Sequence, residues 1–254
     1  MPPNPIPDYE HRLDRYAIHT VDPPRLDAIL AGGWKFHPDG TVKPYYGFTC
    51  IAWVDQASTL YATLCKLQQT LKMKFDATGA GHVFSFLRPD SLHMTICDIE
   101  ASPTPLTHDL DTRLQQGQTA FEAIGAAGSV TAQIRGIGLH STITALVRFA
   151  DAAELRKVLA MEQHIKDATQ MDVRQFTGHI SLAYMVQPPG DHFAAIKDIL
   201  LAHDTALGDF TFSAFDLTYF PHMNEYNPLL TLDLATGQIT RHEDTITTLK
   251  AASS

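Results

Sequence analysis

Two short stretches of the chain, Leu92-His93-Met94-Thr95-Ile96 and His179-Ile180-Ser181-Leu182-Ala183, alternate polar and apolar side chains with a period of two. That alternation marks a half-buried β-strand, because successive side chains of a strand point to opposite faces. Each stretch therefore sets a histidine and a hydroxyl on one face and aliphatic side chains on the other. A chain carrying two such strands must build sheet with one covered face and one polar face.

The segments around them supply the cover, in a pattern that runs twice. Thr49–Val54 is β-branched and aromatic and predicts a strand. Asp55–Lys74 spaces Leu60, Leu64, Leu67 and Leu71 as one face of a helix. His82–Leu87 and Leu92–Ile99 predict strands, and residues 106–124 a helix with Leu106, Leu110 and Leu114 inward. In the second half Thr142–Phe149 predicts a strand. Asp151-Ala152-Ala153-Glu154 resembles a capping box ahead of Leu155, Val158, Leu159 and Ile165. Arg174–Met185 contains a strand, Pro188-Pro189-Gly190-Asp191 breaks the chain before a helix through about His203, and Phe210–Tyr219 and Leu229–Leu234 end as strands. The expected architecture is α+β and bilobal: duplicated strand–helix–strand units with antiparallel sheets around a central groove.

The flanks are simpler. Residues 1–33 predict an arm, extended over Met1–Asp8, with one short helix over Pro24–Ala31. Trp34–Phe36 and Thr41–Tyr46 flank the turn His37-Pro38-Asp39-Gly40 and predict a hairpin. The main domain is expected over 34–245, with lobes of about 34–130 and 131–245, and 246–254 as a polar tail.

Composition narrows the function. With 254 residues and 44% hydrophobic residues the chain can bury a core without metals or disulfides. Lys+Arg number 19 and Asp+Glu 28, a net charge of −9, which disfavours general coating of nucleic acid but not a small phosphorylated ligand in a local pocket. Cys50, Cys65 and Cys97 are an odd set without CxxC spacing. No run reaches the apolar length of a membrane span, and the first residues lack the layout of a signal peptide, so a cytoplasmic protein is expected. There is no Walker loop, GxSxG elbow or HExxH. Gly136-Ile137-Gly138-Leu139-His140-Ser141 mimics a dinucleotide loop only in part, because the third glycine is missing.

Thirteen histidines give four His-x-Ser/Thr tripeptides, at His93, His140, His179 and His203. Only His93 and His179 sit in alternating strands at equivalent places of the two halves. If the halves pack about a pseudo-twofold axis, both imidazoles and the hydroxyls of Thr95 and Ser181 meet in one groove. One neutral imidazole can then take a proton from a nucleophile while a charged one protonates the leaving oxygen. The hydroxyls can donate to the non-bridging oxygens of a phosphodiester. No cofactor is called for and no metal-ligand spacing is present. Tyr46 and Thr49 beside the hairpin, Arg88 before the first motif, and Tyr219 and His222 at a late strand end are candidates for substrate binding. Strand parity puts Tyr184 on the face opposite His179, in the core. Cys97 shares the parity of His93 but lacks a base to activate it and is expected to be structural.

These paired HxTx and HxSx segments in duplicated α+β lobes resemble the 2H phosphoesterase superfamily, which includes the LigT-like RNA ligases and cyclic phosphodiesterases. Lys35-Phe36, Asp39-Gly40, Val42, Pro44 and Gly47-Phe48-Thr49, with Ser91–Thr95 and the later Phe220-Pro221-His222-Met223-Asn224, resemble its DUF1868 branch. The likeness runs from about Trp34 to Leu234. It implies His93 and His179 as acid and base and Thr95 and Ser181 as phosphate ligands. Serine replaces the commoner threonine in the second motif, and Phe48 stands where this branch has a polar residue. The expected activity is metal-independent hydrolysis of a cyclic, 2′,3′-cyclic nucleotide-like, or 2′–5′ phosphodiester, with a small nucleotide or RNA end as substrate. The alternative is a nucleotide- or RNA-end-binding module without turnover.

Overall fold

The computed structural model describes residues 3–22, 35–106, 109–171 and 175–251. Helix α1 (Ile6–Asp14) is followed by β1 (Tyr46–Trp53), α2 (Thr59–Ala77), β2 (Phe84–Phe86), β3 (His93–Ser102) and α3 (Leu110–Ile124). Then come β4 (Val130–Leu139), β5 (Thr142–Arg148), α4 (Ala152–Thr169), β6 (His179–Met185) and α5 (Phe193–Leu201). The chain ends with β7 (Ala206–Phe212), β8 (Ala214–His222), β9 (Glu225–Asp233), β10 (Ile239–Arg241) and α6 (Glu243–Ala251). The helix expected over Pro24–Ala31 lies outside the described residues, as do Trp34 and Arg174.

The strands form one antiparallel sheet in the order β10-β9-β8-β1-β3-β6-β5-β4-β7, with β2 also paired to β6. Between β3 and β6 the ladder holds at one residue pair, Met94 with Ile180, so this line is a seam between two half-sheets. Helix α2 packs on β6 and β7, α4 on β3 and β4, and α3 on α4 and β9. The α+β class and the paired half-sheets are those expected. Their make-up is not sequential: β8–β10 join β1 and β3, and β2 joins β6, so the expected lobes of 34–130 and 131–245 exchange strands across the seam.

The predicted helices form where apolar residues recur at helical spacing. Leu60, Leu64, Leu67, Leu71 and Phe75 are buried along α2, and Ser58 caps it by accepting from Tyr61 N at 3.1 Å. Asp151 caps α4 through Ala153 N at 2.8 Å. Glu154 does not close that box; it accepts from Thr131 N at 2.8 Å and ties the helix to β4.

Four segments differ from expectation. Residues 6–14 form α1 where the prolines predicted an extended arm. Pro7 stands in the first turn, where a missing N–H costs nothing, and Tyr9 and Leu13 are fully buried one turn apart. The small, polar C-terminal segment forms α6, anchored by Ile246 at 2% exposure. The single strand expected over Phe210–Tyr219 is two, β7 and β8, separated by Ser213 and belonging to opposite half-sheets. Finally, β4 alternates buried Val130, Ala132 and Ile134 with exposed Thr131, Gln133 and Arg135, a strand that the glycines at 136 and 138 obscured. Within it Gly138 allows close approach: a Cβ there would lie 2.9 Å from Tyr16 O and 2.6 Å from Thr144 Oγ1.

Candidate active site

The two histidine strands meet at the seam. His93, Thr95, His179 and Ser181 are half-buried, while Met94, Ile96, Ile180 and Leu182 between and beside them are buried. Antiparallel pairing of Met94 with Ile180 puts Thr95 on the row of His179 and His93 on the row of Ser181. Each imidazole thus stands across from the hydroxyl of the other motif.

The rings are held in the same way. His93 Nδ1 lies 2.7 Å from the Ser91 carbonyl, and His179 Nδ1 lies 2.9 Å from the Thr177 carbonyl, in each case two residues back. A carbonyl only accepts, so Nδ1 carries the proton and Nε2 is left with the lone pair in the neutral ring. Burial pulls His93 down to about 4 and lowers His179 as well. The carbonyl bonds and the Asp98 carboxylate oppose that shift at both rings, and the Lys35 ammonium adds to it. Both imidazoles therefore rest neutral near pH 7.

A β-bulge in each histidine strand changes what lies beside them. On β3, Ile51 pairs with Thr95 but Cys50 pairs with Cys97, so Ile96 is an extra residue. Parity flips there. Cys97 turns into the core at 4% exposure, where burial pushes its thiol up to about 12, and Asp98 emerges exposed on the polar face. On β6, Thr144 pairs with Ser181 but Ile143 pairs with Ala183, so Leu182 is the extra residue. Gln68 from α2 supports this bulge, donating to the carbonyls of Leu182 at 2.9 Å and Leu87 at 3.0 Å. Tyr184 is accordingly not in the main core on the face opposite His179, as uniform alternation predicted. It is half-buried, with its ring 5.0 Å from Phe36 and its hydroxyl 3.3 Å from Met223 Sδ. Asp98 and Tyr184 each follow a histidine by five residues, and strict period two hides both.

The hairpin after residue 34 closes over this face. Phe36 bridges Val42, and His37 N donates to Thr41 O at 2.8 Å across a turn in which Gly40 has φ of +83°. Phe36 packs with Leu87, Phe220 and Met223, and with Tyr45, Tyr184 and Tyr226 around them, in a cluster separate from the main core. Lys35 at its foot places Nζ 3.4 Å from Tyr184 Oη and over the rings of Tyr45 and Tyr184 at 5.3 and 5.2 Å. Burial pushes its pKa down, but Tyr184, Asp98 and Tyr45 outweigh that and raise it. His93 also has aromatic walls: Tyr226 at 4.4 Å and Trp53 at 5.8 Å between ring centroids. Lys35, Trp53, Asp98 and Tyr226 were not among the sequence candidates. A signal existed for Lys35, which belongs to the motif ahead of the hairpin.

The other candidates lie elsewhere. Thr49 is buried at 2% exposure, its hydroxyl 3.2 Å from both Cys97 O and Asp98 Oδ1, so it holds Asp98 and faces no open space. Tyr46 stands seven residues from Trp53 along β1, about 23 Å at roughly 3.3 Å per residue, and pairs with Ser102, far from the histidine end. Tyr219 is 2% exposed and packs on Phe48 at 5.3 Å, in the main core. Arg88 is paired with Asp90 in an exposed turn. His222, at the β8–β9 turn, faces Glu225 at 3.5 Å. Strand alternation alone does not say how far along a strand the polar groove extends, which is why Tyr46 and Tyr219 look equivalent to nearer residues in the sequence. Among the described residues no group of three His, Cys, Asp or Glu is placed to hold a metal ion, and no helix is long and apolar enough to cross a membrane.

Comparison with known proteins bears on the fold. The family model 2H-phosphodiest, described as a domain of unknown function (DUF1868), matches residues 35–103, from Lys35 through His93 and Thr95. A conserved protein of unknown function from Agrobacterium tumefaciens str. C58 aligns with a TM-score of 0.61 at 17% identity, covering 89% of this chain and 99% of that one. A protein of Thermus thermophilus aligns with a TM-score of 0.50 at 14% identity, covering 76% of this chain and all (100%) of that one. E. coli LigT complexed with phosphate aligns at 0.48 and 10% identity, over 76% and 100%. No curated protein matches the sequence. The α+β architecture is shared with the Agrobacterium and Thermus proteins. The family likeness rests on residues 35–103, where the chain is similar to the DUF1868 model of 2H phosphodiesterases.

Proposed function

We propose that the protein is a metal-independent phosphodiesterase that opens a cyclic, 2′,3′-cyclic nucleotide-like, or 2′–5′ phosphodiester with His93 and His179 as acid and base. The observation that carries this reading is the matched tether of the two rings through Nδ1, which leaves Nε2 of each as the proton-handling atom. One neutral Nε2 takes the proton of an attacking water. The other imidazole, charged when the phosphate anion beside it raises its pKa, protonates the departing ribose oxygen. Thr95 and Ser181, each across from the opposite histidine, donate to the non-bridging oxygens as charge builds on them. The substrate is a small nucleotide or an RNA end, in keeping with the net charge of −9, and the enzyme acts in the cytoplasm.

Turnover of 2′,3′-cyclic nucleotides, 2′–5′ dinucleotides and cyclic dinucleotides in excess EDTA tests it. The wild type turns over at least one class, and His93→Ala and His179→Ala each lose about 10²–10⁴-fold. Loss of activity in EDTA, or full activity in either folded variant, overturns the mechanism. Nucleotide binding without turnover, persisting in both variants, replaces it with a binding module.

A further inference from the structure

Among the described residues Lys35 is an ammonium without an anion. Its three N–H donors have one partner there, the Tyr184 hydroxyl at a long 3.4 Å, and no carboxylate within ion-pair distance. Two tyrosine faces shield it. The position is nevertheless fixed: Lys35 O accepts from Lys43 N at 3.0 Å, and the neighbouring Phe36 is buried at 6% exposure in the cluster that covers the histidine face. Its charge acts on His93 and on His179 alike, as does that of Asp98. Geometry places it there too: Tyr184, which it contacts, shares the cluster with Tyr226, whose ring lies 4.4 Å from that of His93. A half-buried cation held there by aromatic faces, with donors left over, lacks an anionic partner that enters with the ligand.

We propose that Lys35 is a substrate-binding residue whose ammonium takes a phosphate oxygen of the ligand held between His93 and His179, with the Tyr184 hydroxyl fixing its direction. The inference rests on the reading of the groove as a phosphodiester site. It assigns to the hairpin, outside both histidine motifs, the fixed positive charge that neutral imidazoles cannot give an incoming diester. A diester carries one negative charge, and one ammonium matches it.

Titration with inorganic phosphate, followed by calorimetry and by the histidine C2–H resonances, separates this inference from turnover. Lys35→Met weakens phosphate binding about 10- to 100-fold, the loss expected for one hydrogen bond to a charged group, and flattens its salt dependence; Lys35→Arg restores part of the affinity. In ligand-free Lys35→Met the midpoints of both His93 and His179 rise, because a cation that opposed their protonation is gone. A role confined to packing the hairpin moves neither the salt dependence nor both midpoints together. Should Lys35→Met not fold, Lys35→Gln keeps a polar tip without the charge and is read in the same way. Wild-type phosphate affinity in a folded Lys35→Met or Lys35→Gln protein overturns the inference, even if the histidine variants abolish turnover. Phosphate binding that depends on Lys35, with no diester hydrolysed, overturns the catalytic reading and leaves this one standing.

Discussion

Trp53 donates its indole N–H to Asp216 Oδ2 at 2.6 Å. The other oxygen of the same carboxylate accepts from Thr231 Oγ1 at 2.6 Å, and Thr231 lies 2.8 Å from His242 Nε2 at the foot of α6. The same indole meets the ring of His93 edge-on. A buried carboxylate on β8 thus fixes one wall of the site through a single aromatic side chain.

Asp216→Ala removes both acceptors and leaves the half-buried indole N–H without its partner, while Thr231 keeps only His242, at a cost of about 1–3 kcal/mol seen as a lower urea midpoint. Burial raises the Asp216 pKa against the hydrogen bonds from Thr231 and Trp53. The folded state therefore binds this proton more tightly than the unfolded one. Relative to Asp216→Asn, the wild type gains stability as pH falls from that raised value toward 3.8. Stability curves of the two proteins that run parallel through this range contradict the assignment.

The two histidines at the seam, His93 and His179, carry the opposite sign. Their folded pKa values lie below the ordinary 6.5, with His93 at about 4, so the unfolded chain takes up protons that the folded one refuses. The stability they contribute is complete above pH 6.5 and is lost as pH falls to about 4. Urea unfolding between pH 7.5 and about 4 shows a steep acid loss in the wild type, and His93→Gln flattens it. Equal acid slopes in the two proteins refute the neutral resting state of His93.

The histidine pair was legible because its chemistry coincides with its pattern: period two sets His93 with Thr95 and His179 with Ser181 whatever lies around them. Asp98 and Tyr184 were not, because the bulges at Ile96 and Leu182 depend on pairing with β1 and β5 and on the Gln68 side chain, none of which is local. The same limit applies to topology. Helical spacing revealed α2 and α4, but nothing near Ser213 marks the passage from one half-sheet to the other. Helix α1 hid behind its prolines, since Pro7 reads as a breaker unless the first turn is known to begin there.

That helix reaches the site through Tyr9, whose hydroxyl donates to Val147 O at 2.5 Å and accepts from Gly178 N at 3.2 Å, one residue before His179. Its ring packs between Phe149 at 5.5 Å and Phe176 at 5.8 Å. Tyr9→Phe keeps the packing and strands a buried carbonyl and a buried N–H, so it lowers stability by about 1–3 kcal/mol. Amide exchange at Gly178 and His179 accelerates in the variant. Unchanged exchange at these two amides contradicts the link from α1 to the second motif.

Gly47 on β1 leaves no room for a side chain. A Cβ there would lie 2.3 Å from Glu100 O and 2.3 Å from Phe220 Cζ. The first is backbone within a paired strand and cannot move aside, while the second belongs to the aromatic cluster under the hairpin. Gly47→Ala therefore forces β1 and β3 apart and costs about 1–3 kcal/mol, or roughly 2–10 °C in Tm. Gly128 is a useful contrast: its φ is +73°, but a Cβ meets nothing within 4 Å. Gly128→Ala carries only backbone strain, about 1 kcal/mol. Thermal unfolding of both variants should rank Gly47→Ala as the more damaging, and the reverse order would mean that the strands part at Gly47 at little cost.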